Sequence, residues 1–265
     1  MNYVKYPRTE HLLGSKYLNF NEVDLNFKNK EQIDFPILLS DEKFIIEEKM
    51  DGIGLGICFI NSIPHIQQRG HLFSIDKIPD FLKNFKEYIL HNEELIYCII
   101  GEQFTLFGEW LEFKHTVFYN NLPSFFLEYD IFDHHSQYFL STSRRMSMIN
   151  NSLTSVKVLA ETQSCNLHTI SELFINHPIS SFCNNQWQSD FNTLKNNNPE
   201  LQLNTLLSQQ YEGFYIKVEN KNEVTQRFKW ITKNFFNIVS QNNHWKNQQL
   251  ILNTLQNKEK FNYKI

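Results

Sequence analysis

The feature that most constrains the fold is a series of short β-rich runs bounded by turn residues. The first, at 43–60, reads KFIIEEKMDGIGLGICFI, and its two apolar halves flank Asp51-Gly52. Such a dipeptide between β-rich runs predicts a strand, a tight turn and a second strand. The other strand-like runs are 98–112, 125–132, 211–219 and 224–231, the last two joined by Asn220-Lys221-Asn222. Alternating strands and turns predict an α+β fold with antiparallel sheets and helices outside.

Helical periodicity is clearest at 79–91, PDFLKNFKEYILH, where apolar residues recur every three to four positions after an early proline. Shorter helices are predicted at 144–151 and, within an Asn/Ser-rich stretch, around 168–175 and 186–194. The end of the chain predicts a helix from 244. We therefore expect one domain at 1–240 and a C-terminal helical tail at 241–265.

Composition restricts the class of protein. The 265 residues are 41% hydrophobic and 20% charged, which predicts a folded core rather than disorder. The net charge of −4 means that any nucleic-acid contact must come from a local basic groove. Four cysteines without a CxxC pair predict buried reduced thiols. The sequence shows neither a signal peptide nor a membrane span, so we expect a cytoplasmic protein.

Lys49-Met50-Asp51-Gly52 is the first chemical candidate. A lysine amine attacks a phosphate only when unprotonated, so its pKa of about 10.4 must be lowered by burial or nearby cations. The end of a buried strand beside a tight turn suits that purpose. Taken alone, the motif is weak evidence, because it is more typical of an ordinary hairpin turn with an exposed lysine.

The order of the later motifs strengthens the interpretation of Lys49 as a reactive lysine. Downstream of Lys49 follow, in order, Arg69-Gly70, Gly108-Glu109, Phe126-Leu127-Glu128-Tyr129-Asp130, Glu212 to Lys217 (EGFYIK) and Arg227-Phe228-Lys229. Together with Lys49 to Gly52 they resemble, in family order, the motifs of the covalent nucleotidyltransferase superfamily of DNA ligases, RNA ligases and capping guanylyltransferases. The block at 107–133 and the opening KYPRTEHLLGS resemble the ATP-dependent RNA ligases most.

The resemblance implies a role for each matched position. Lys49 would carry AMP, and Glu48 would sit against the adenine edge. Asp51 belongs to the same nucleotide-binding motif. Arg69 would contact ribose or phosphate, and Glu109 would contact the ribose hydroxyls.

The remaining matched positions concern the base, the metal and the phosphates. Tyr129 would stack on the base, and Glu212 would bind Mg²⁺ or Mn²⁺. Lys217, Arg227 and Lys229 would hold phosphates. Arg227 departs from the family, which commonly has lysine there, so its role is less secure than that of Lys229.

Simpler explanations exist for several of these residues. Tyr129 on a strand is often a core residue, and Glu109 and Glu212 could pair with surface lysines. Paired histidines such as His134-His135 lack acidic or cysteine partners at ligand spacing. Arg8, His11 and Ser15 of the opening segment are further candidates for the nucleotide pocket.

The implied reaction joins RNA 5′-phosphate and 3′-hydroxyl ends with ATP, by way of lysyl-AMP and adenylated RNA. We expect a monomer that acts on RNA ends and works beside an end-healing kinase or phosphatase. A DNA ligase or capping enzyme normally needs a following OB-fold, and the 36 residues after Lys229 are too few for one. A non-catalytic RNA-binding relative would have no need of the lysine. Nicked duplex, broken tRNA loop and free single strands all remain open as substrates.

Overall fold

The structure, a computed structural model, describes residues 3–19, 23–198, 205–206, 211–241 and 250–257. Its strands are β1 Glu10–His11, β2 Lys43–Lys49, β3 Ile53–Ile60, β4 Ile63–Gln68, β5 His71–Ser74, β6 Phe104–Trp110, β7 Phe126–Asp133, β8 Tyr138–Phe139, β9 Val158–Thr162, β10 Gly213–Glu219 and β11 Val224–Ile231. Its α-helices are α1 Lys83–His91, α2 Glu93–Ile100, α3 Thr142–Ile149, α4 Leu167–Asn176, α5 Trp187–Asn197 and α6 Lys233–Gln241. Short 3₁₀ turns at Ile75–Lys77 and Asp80–Leu82 precede α1.

These strands form two sheets. Sheet I has the order β1-β11-β10-β2-β9, and sheet II has the order β5-β4-β3-β6-β7-β8. Every pairing is antiparallel except that of the two-residue β1 with β11. The predicted α+β fold with antiparallel sheets is confirmed.

The Asp51-Gly52 link differs from its prediction. β2 and β3 do not pair with each other, because β2 belongs to sheet I and β3 to sheet II. The link between them is held by hydrogen bonds: the Asp51 carboxylate accepts from the amides of Thr116 (2.7 Å) and Val117 (2.8 Å), and the Asp51 amide donates to the Tyr119 hydroxyl (2.9 Å). The tight hairpin turn is therefore wrong, and the segment carries the chain from one sheet to the other.

Strict alternation of side chains separates the two faces of sheet I. Phe214, Ile216 and Val218 of β10, with Phe44 and Ile46 of β2, pack into one apolar core behind the sheet. The intervening residues of both strands turn the other way, towards sheet II. Because β-strands have a period of two, the polar residues of sheet I line one cleft between the sheets.

Sheet II has its own core on its outer face, where α1 and α2 cover it. Leu55 and Ile57 of β3 pack there with Phe85 and Ile89 of α1 and Ile96 of α2. Residues between those of β3, namely Gly54 and Gly56, face the cleft. The cleft thus has a glycine-lined wall opposite the polar face of sheet I.

The helical predictions hold at 79–91, 144–151, 168–175 and 186–194, with ends shifted by a few residues. The strand predicted at 98–112 begins only at Phe104, because 93–100 is helix α2. Two glutamates stand in the first turn of α2, where carboxylates favour a helix. Strands β1, β4, β5, β8 and β9 were not predicted.

Most of the predicted helical tail lies outside the described residues. The described stretch 250–257 is extended and forms bridges with Phe113 and Leu122, so the helical prediction is wrong there. Helix α6, at Lys233–Gln241, ends where the predicted tail begins. In the part of the chain that the structure describes, we find no helix of the length and apolar character that crossing a bilayer requires.

Candidate active site

Lys49 is the last residue of β2 and lies at the centre of the cleft. Its Nζ is 3.0 Å from Oε2 of Glu212, which precedes β10, and β10 is the neighbour of β2 in sheet I. Two cavities of about 550 and 370 Å³ meet at this side chain. Lys49 is therefore accessible from both cavities and is held by a buried carboxylate.

Glu109 faces Lys49 from sheet II. It lies opposite Gly54 in the β3–β6 register, and its Oε1 accepts a hydrogen bond from the Gly52 amide at 3.1 Å. Burial raises the pKa of Glu109 to about 8, against the opposing effect of Lys49. The absence of a side chain on Gly54 leaves room for this carboxylate and for the Tyr129 hydroxyl.

The charges of this triad are coupled. Burial raises the pKa of Glu212 to about 7, with Lys49 again acting in the opposite direction. For Lys49, burial lowers the pKa, but Glu212 and Glu109 outweigh that effect and raise it overall. Two buried carboxylates therefore share one cation, and further positive charge at this position would be stabilised.

Tyr129 and Arg69 line both cavities. Tyr129 projects from β7 and packs edge-on against Tyr6, with ring centroids 5.7 Å apart. Arg69 and Gly70 form the two-residue turn between β4 and β5, both with positive φ (34° and 92°), as the primed hairpin turns require. The predicted base and ribose contacts are thus brought together beside Lys49.

Glu48 is a predicted site residue whose carboxylate is bound away from Lys49. It lines the smaller cavity, but its carboxylate accepts hydrogen bonds from the Ser180 hydroxyl and from the Ser181 amide at 2.9 Å. Burial raises its pKa to about 6, and the serine contacts oppose that effect. Because it neighbours Lys49 on a strand, its side chain points to the opposite face of sheet I, and the position of Glu48 against the adenine edge stays a prediction.

Lys217 is fully buried in a cluster of charges behind the cavities. Its Nζ lies 2.9 Å from Glu47, 3.1 Å from Asp130 and 2.6 Å from the Tyr129 carbonyl. Lys217 is not one of the described residues that line the two cavities. The charge of Lys217 joins the two sheets in this structure, and the expected phosphate contact stays a prediction.

Arg227 belongs to the same cluster. Its guanidinium lies 3.3 Å from Asp130 and 4.1 Å from the ring centroid of Phe139, and its side chain is only 7% exposed. Asp130 raises its pKa against the effect of burial. The structure thus places Arg227 against a carboxylate and an aromatic ring rather than at the surface of either cavity.

Lys229 faces the cleft two residues further along β11 and lines the smaller cavity together with Arg8. Its pKa is lowered by burial and by the charges of Lys49, Lys16 and Arg8. Of the phosphate-binding candidates in the Arg227-Phe228-Lys229 motif, only Lys229 is available to a bound anion.

His11 and Ser15 brace the strand that carries Lys229. His11 Nδ1 is 2.8 Å from the Ser15 hydroxyl, which accepts a hydrogen bond from the Ile231 amide at 2.9 Å. Burial, followed by Lys229 and Lys16, lowers the pKa of His11 to about 3, so the imidazole is neutral at pH 7. Ser15 is fully buried, so its role is structural.

Sequence reasoning missed Tyr6, Tyr215 and Glu47. The Tyr6 hydroxyl donates to Asp130 and lies 3.0 Å from the Tyr215 hydroxyl, and all three missed residues line the smaller cavity. Tyr215 and Glu47 alternate with core residues on their strands, so the period of two could have found them. Tyr6 stands in an irregular segment that carries no such signal.

The donor set restricts the kind of metal site. Within the described ranges, no group of three or more His, Cys, Asp or Glu side chains could hold an ion, and the Asp51 carboxylate is occupied by backbone amides. Glu109 and Glu212 remain. Two carboxylates completed by water and substrate phosphates are the ligands that Mg²⁺ usually takes, and Zn²⁺ would need a fuller set.

Comparison with known proteins gives one family and a set of distant folds. The sequence model of a family described as RNA ligase matches residues 42–231. No curated protein matches the chain.

Similar solved structures include two variants of Naegleria gruberi RNA ligase. One was determined with ATP and Mn (14% identity, TM-score 0.47, 74% of this chain and 52% of that chain) and one without ligand (12% identity, TM-score 0.48, 76% and 52%). A candidate ATP-dependent DNA ligase from Aquifex aeolicus gives 17% identity, a TM-score of 0.46 and coverage of 87% and 50%. The chain spans about half the length of these structures.

Proposed function

The chain belongs to the RNA ligase family, and we propose that it joins RNA 5′-phosphate and 3′-hydroxyl ends with ATP, using Lys49 as the nucleophile. The observation that carries this proposal is the placement of Lys49 where two cavities meet, 3.0 Å from Glu212 and opposite Glu109. A lysine that served only as a surface charge would not need two buried carboxylates and a cavity large enough for a nucleotide.

The reaction has three balanced transfers. The Lys49 amine attacks the α-phosphorus of ATP, forming an N–P bond as the P–O bond to pyrophosphate breaks and the amine releases its proton. An oxygen of the RNA 5′-phosphate then attacks the same phosphorus, the N–P bond breaks and the lysine is regenerated. Finally the RNA 3′-hydroxyl attacks the 5′-phosphorus, loses its proton, and AMP leaves.

The surrounding residues supply binding and charge. The smaller cavity presents Tyr129 and Tyr215 to a planar base, and Lys229 and Arg8 to phosphates. Arg69 reaches both cavities from its turn. Fixed cations around a transferring phosphoryl group stabilise the charge that develops as pyrophosphate departs.

Glu109 and Glu212 are the residues that would hold Mg²⁺ or Mn²⁺. A divalent cation bound there would neutralise both carboxylates and withdraw negative charge from the transferring phosphate. The same carboxylates keep the Lys49 amine protonated in the isolated protein, since they raise its pKa. Any charge compensation at Glu109 and Glu212 therefore also releases the amine for attack.

The first experiment tests the nucleophile. Incubation with α-radiolabelled ATP and Mg²⁺, followed by denaturing electrophoresis, should label the wild-type protein with an acid-labile, alkali-stable adduct. Lys49→Ala should abolish the label. Lys43→Ala, at the opposite end of β2, removes a solvent-facing pair with Glu161 and should retain it. Equal labelling of all three proteins would show that Lys49 is not the nucleophile, and labelling by GTP but not ATP would show a capping-type enzyme.

The second experiment tests the substrate. Four junctions carry ribose or deoxyribose on either side of a 5′-phosphate/3′-hydroxyl break, in nicked and in single-stranded form. We expect ribose on the 3′-hydroxyl side to matter most, since that strand must be aligned for attack and its 2′-hydroxyl distinguishes RNA from DNA. Equal rates on all-DNA and all-RNA junctions would refute RNA as the preferred substrate.

We further propose that residues 1–240 act as the adenylyltransferase domain of a cytoplasmic monomer. Because the reaction consumes a 5′-phosphate and a 3′-hydroxyl, RNA broken with other end groups must first be treated by a kinase or phosphatase. Sedimentation equilibrium at assay concentration would test the monomer directly, and a dimer mass would contradict it.

A further inference from the structure

We propose that Lys16 and Lys233, continuing outward from Lys229, form a track that binds backbone phosphates of the RNA strand entering the cleft. This inference rests on the proposed ligase function and assigns a binding surface to its polynucleotide substrate. It concerns residues beyond the sequence motifs, one in the loop after β1 and one at the start of α6.

Backbone hydrogen bonds hold the two lysines beside the end of β11. The Lys16 amide donates to the Ile231 carbonyl at 2.7 Å, and the Lys233 amide donates to the Leu18 carbonyl at 3.1 Å. The loop at 12–18 is thereby attached to the segment that runs from β11 into α6. Lys229, on β11, is two residues before Ile231, so the three lysines lie at the same end of sheet I.

The Lys16 side chain is itself positioned. Its backbone has φ 72°, in the left-handed region that a non-glycine residue adopts at some cost. Its Nζ lies 5.3 Å from the ring centroid of Phe236 in α6, a cation–π distance. A lysine held by its backbone and by a ring loses less side-chain entropy on binding a phosphate than a free surface lysine would.

The track is a local excess of positive charge. Among the described residues, no carboxylate lies within 4.0 Å of the side-chain nitrogens of Arg8, Lys16, Lys229 or Lys233. The closeness of the first three is also seen in the lowered pKa of Lys229, to which Lys16 and Arg8 contribute after burial and Lys49. On a chain of net charge −4, four cations at one end of the sheet, for which the described residues supply no ion pair within 4.0 Å, favour a polyanionic ligand.

The position of the track identifies RNA, rather than ATP, as the ligand. Lys229 and Arg8 line the smaller cavity beside Lys49, whereas Lys16 and Lys233 line neither cavity. A phosphate bound by the two outer lysines therefore lies outside the space available to a nucleotide. Phe235 and Ile238 of α6 line the larger cavity, so the track leads from solvent to its edge. A polynucleotide extends along such a path, and a mononucleotide does not.

The test measures the salt dependence of RNA binding. The double variant Lys16→Gln/Lys233→Gln and the wild type are titrated without ATP against fluorescent, 5′-phosphorylated single-stranded RNA in a series of KCl concentrations. Each lost phosphate contact should reduce the slope of log K against log salt by about 0.7, so the double variant should lose about 1.4. At 0.1 M salt this corresponds to roughly 25-fold weaker binding, since the electrostatic part vanishes near 1 M.

The matched control is Lys221→Gln, an exposed lysine at the opposite end of the β10–β11 hairpin, which should change neither slope nor affinity. Adenylation by ATP is measured on the same proteins. We expect the loss in RNA affinity to exceed any loss in adenylation by at least tenfold. Each single variant, Lys16→Gln or Lys233→Gln, should lower the slope by about 0.7 and provides the test if the double variant does not fold.

Two results would overturn the proposal. One is an unchanged slope in folded variants. The other is an equal fall in adenylation and RNA binding, which would mean that these lysines hold the triphosphate of ATP. Failure of the proposed function has a different signature, since a wild-type protein that forms no lysyl-AMP and seals no RNA would fail irrespective of the salt slope.

Discussion

Removal of the Arg145 guanidinium should test how the two sheets are held at the cleft. Arg145 projects from α3 into the seam between them, where its side chain is completely buried. Nη2 lies 2.9 Å from Glu47 on β2, and Nη1 lies 3.6 Å from Glu128 on β7. Because β2 ends at Lys49 and β7 carries Tyr129, this side chain fixes the relative position of the two walls of the site. The proposed change is Arg145→Met, which preserves much of the apolar volume.

The size of the expected loss of stability depends on the partners that each carboxylate keeps when Arg145 is removed. Glu47 keeps Lys217 at 2.9 Å, whereas Glu128 keeps the Ser155 hydroxyl and a more distant Lys217. Burial already raises the pKa of Glu128, and Arg145 is the main group that opposes this effect. Without Arg145 the pKa of the Glu128 carboxyl should rise further above its ordinary value, because burial is then opposed only by weaker contacts. The loss of stability at pH 7 should lie in the range of about 3–5 kcal/mol that is typical of breaking a buried ion pair.

The sign of the pH dependence follows from linkage. Loss of Arg145 should raise the folded pKa of Glu128 further above its unfolded value, so the unfolded state of the variant binds fewer protons than its folded state near neutrality. Stability is then lost as pH rises, and the variant's deficit should grow with pH above the folded pKa that Glu128 has in the wild type. At pH values approaching 4 the deficit should largely disappear.

Urea denaturation at pH 6, 7 and 8 measures this directly. The double variant Arg145→Met/Glu128→Gln should recover at least half of the lost stability and most of the pH dependence, because no buried charge then remains unpaired. Arg144→Met is the matched control, since Arg144 is exposed and should contribute less than about 1 kcal/mol. A loss below about 1 kcal/mol for Arg145→Met, or a loss independent of pH, would refute this account of the seam.

The remaining predictions concern the cavity. Lys229→Ala should slow adenylation by roughly 10²–10³ in single-turnover labelling, the effect of one preorganised transition-state donor, and a change below threefold would remove it from the phosphate site. Glu48→Gln should cost about 1–3 kcal/mol of stability in urea through its contacts with Ser180, with the apparent KM for ATP unchanged within twofold; a large KM effect would support the contact with adenine. Gly54→Val should weaken ATP binding at least tenfold by calorimetry, since a Cβ there already meets the Tyr129 hydroxyl at 3.3 Å, and unaltered binding would place the nucleotide elsewhere.

The sequence predicted individual elements well because their signals are local. The run YEGFYIKVE at 211–219 was predicted as a strand, and its residues Gly213–Glu219 form β10. The apolar stretch ending at 100 could not be distinguished from a strand by periodicity alone, and it ends a helix. The pairing of strands was harder to predict from the sequence, since nothing within 43–60 shows that its two strands belong to different sheets.

In the candidate site, too, some features followed from the sequence motifs and others depended on contacts between distant residues. Lys49, Glu109, Tyr129, Glu212 and Lys229 lie around one pair of cavities, as their motif order led us to expect. The carboxylate of Glu48 is bound by Ser180 and Ser181, and the amine of Lys217 is bound by Glu47 and Asp130, because the partners of a side chain can lie far away in sequence. Ser180 lies 132 residues from Glu48, and no motif joins them.

Alternation explains why one motif can serve both chemistry and architecture. On β10, Lys217 follows Tyr215 on the cleft face, so the strand presents first an aromatic ring to the cavity and then a cation to the buried cluster. On β11, Lys229 and Arg227 repeat this order, with the solvent-accessible cation nearer to Lys49 and the paired cation deeper in the seam. The cations of these two motifs are therefore not a set of equivalent phosphate ligands. The residues nearest the ends of β2, β10 and β11 line the cavities at Lys49, and those two positions further in belong to the charge pairs that join the two sheets.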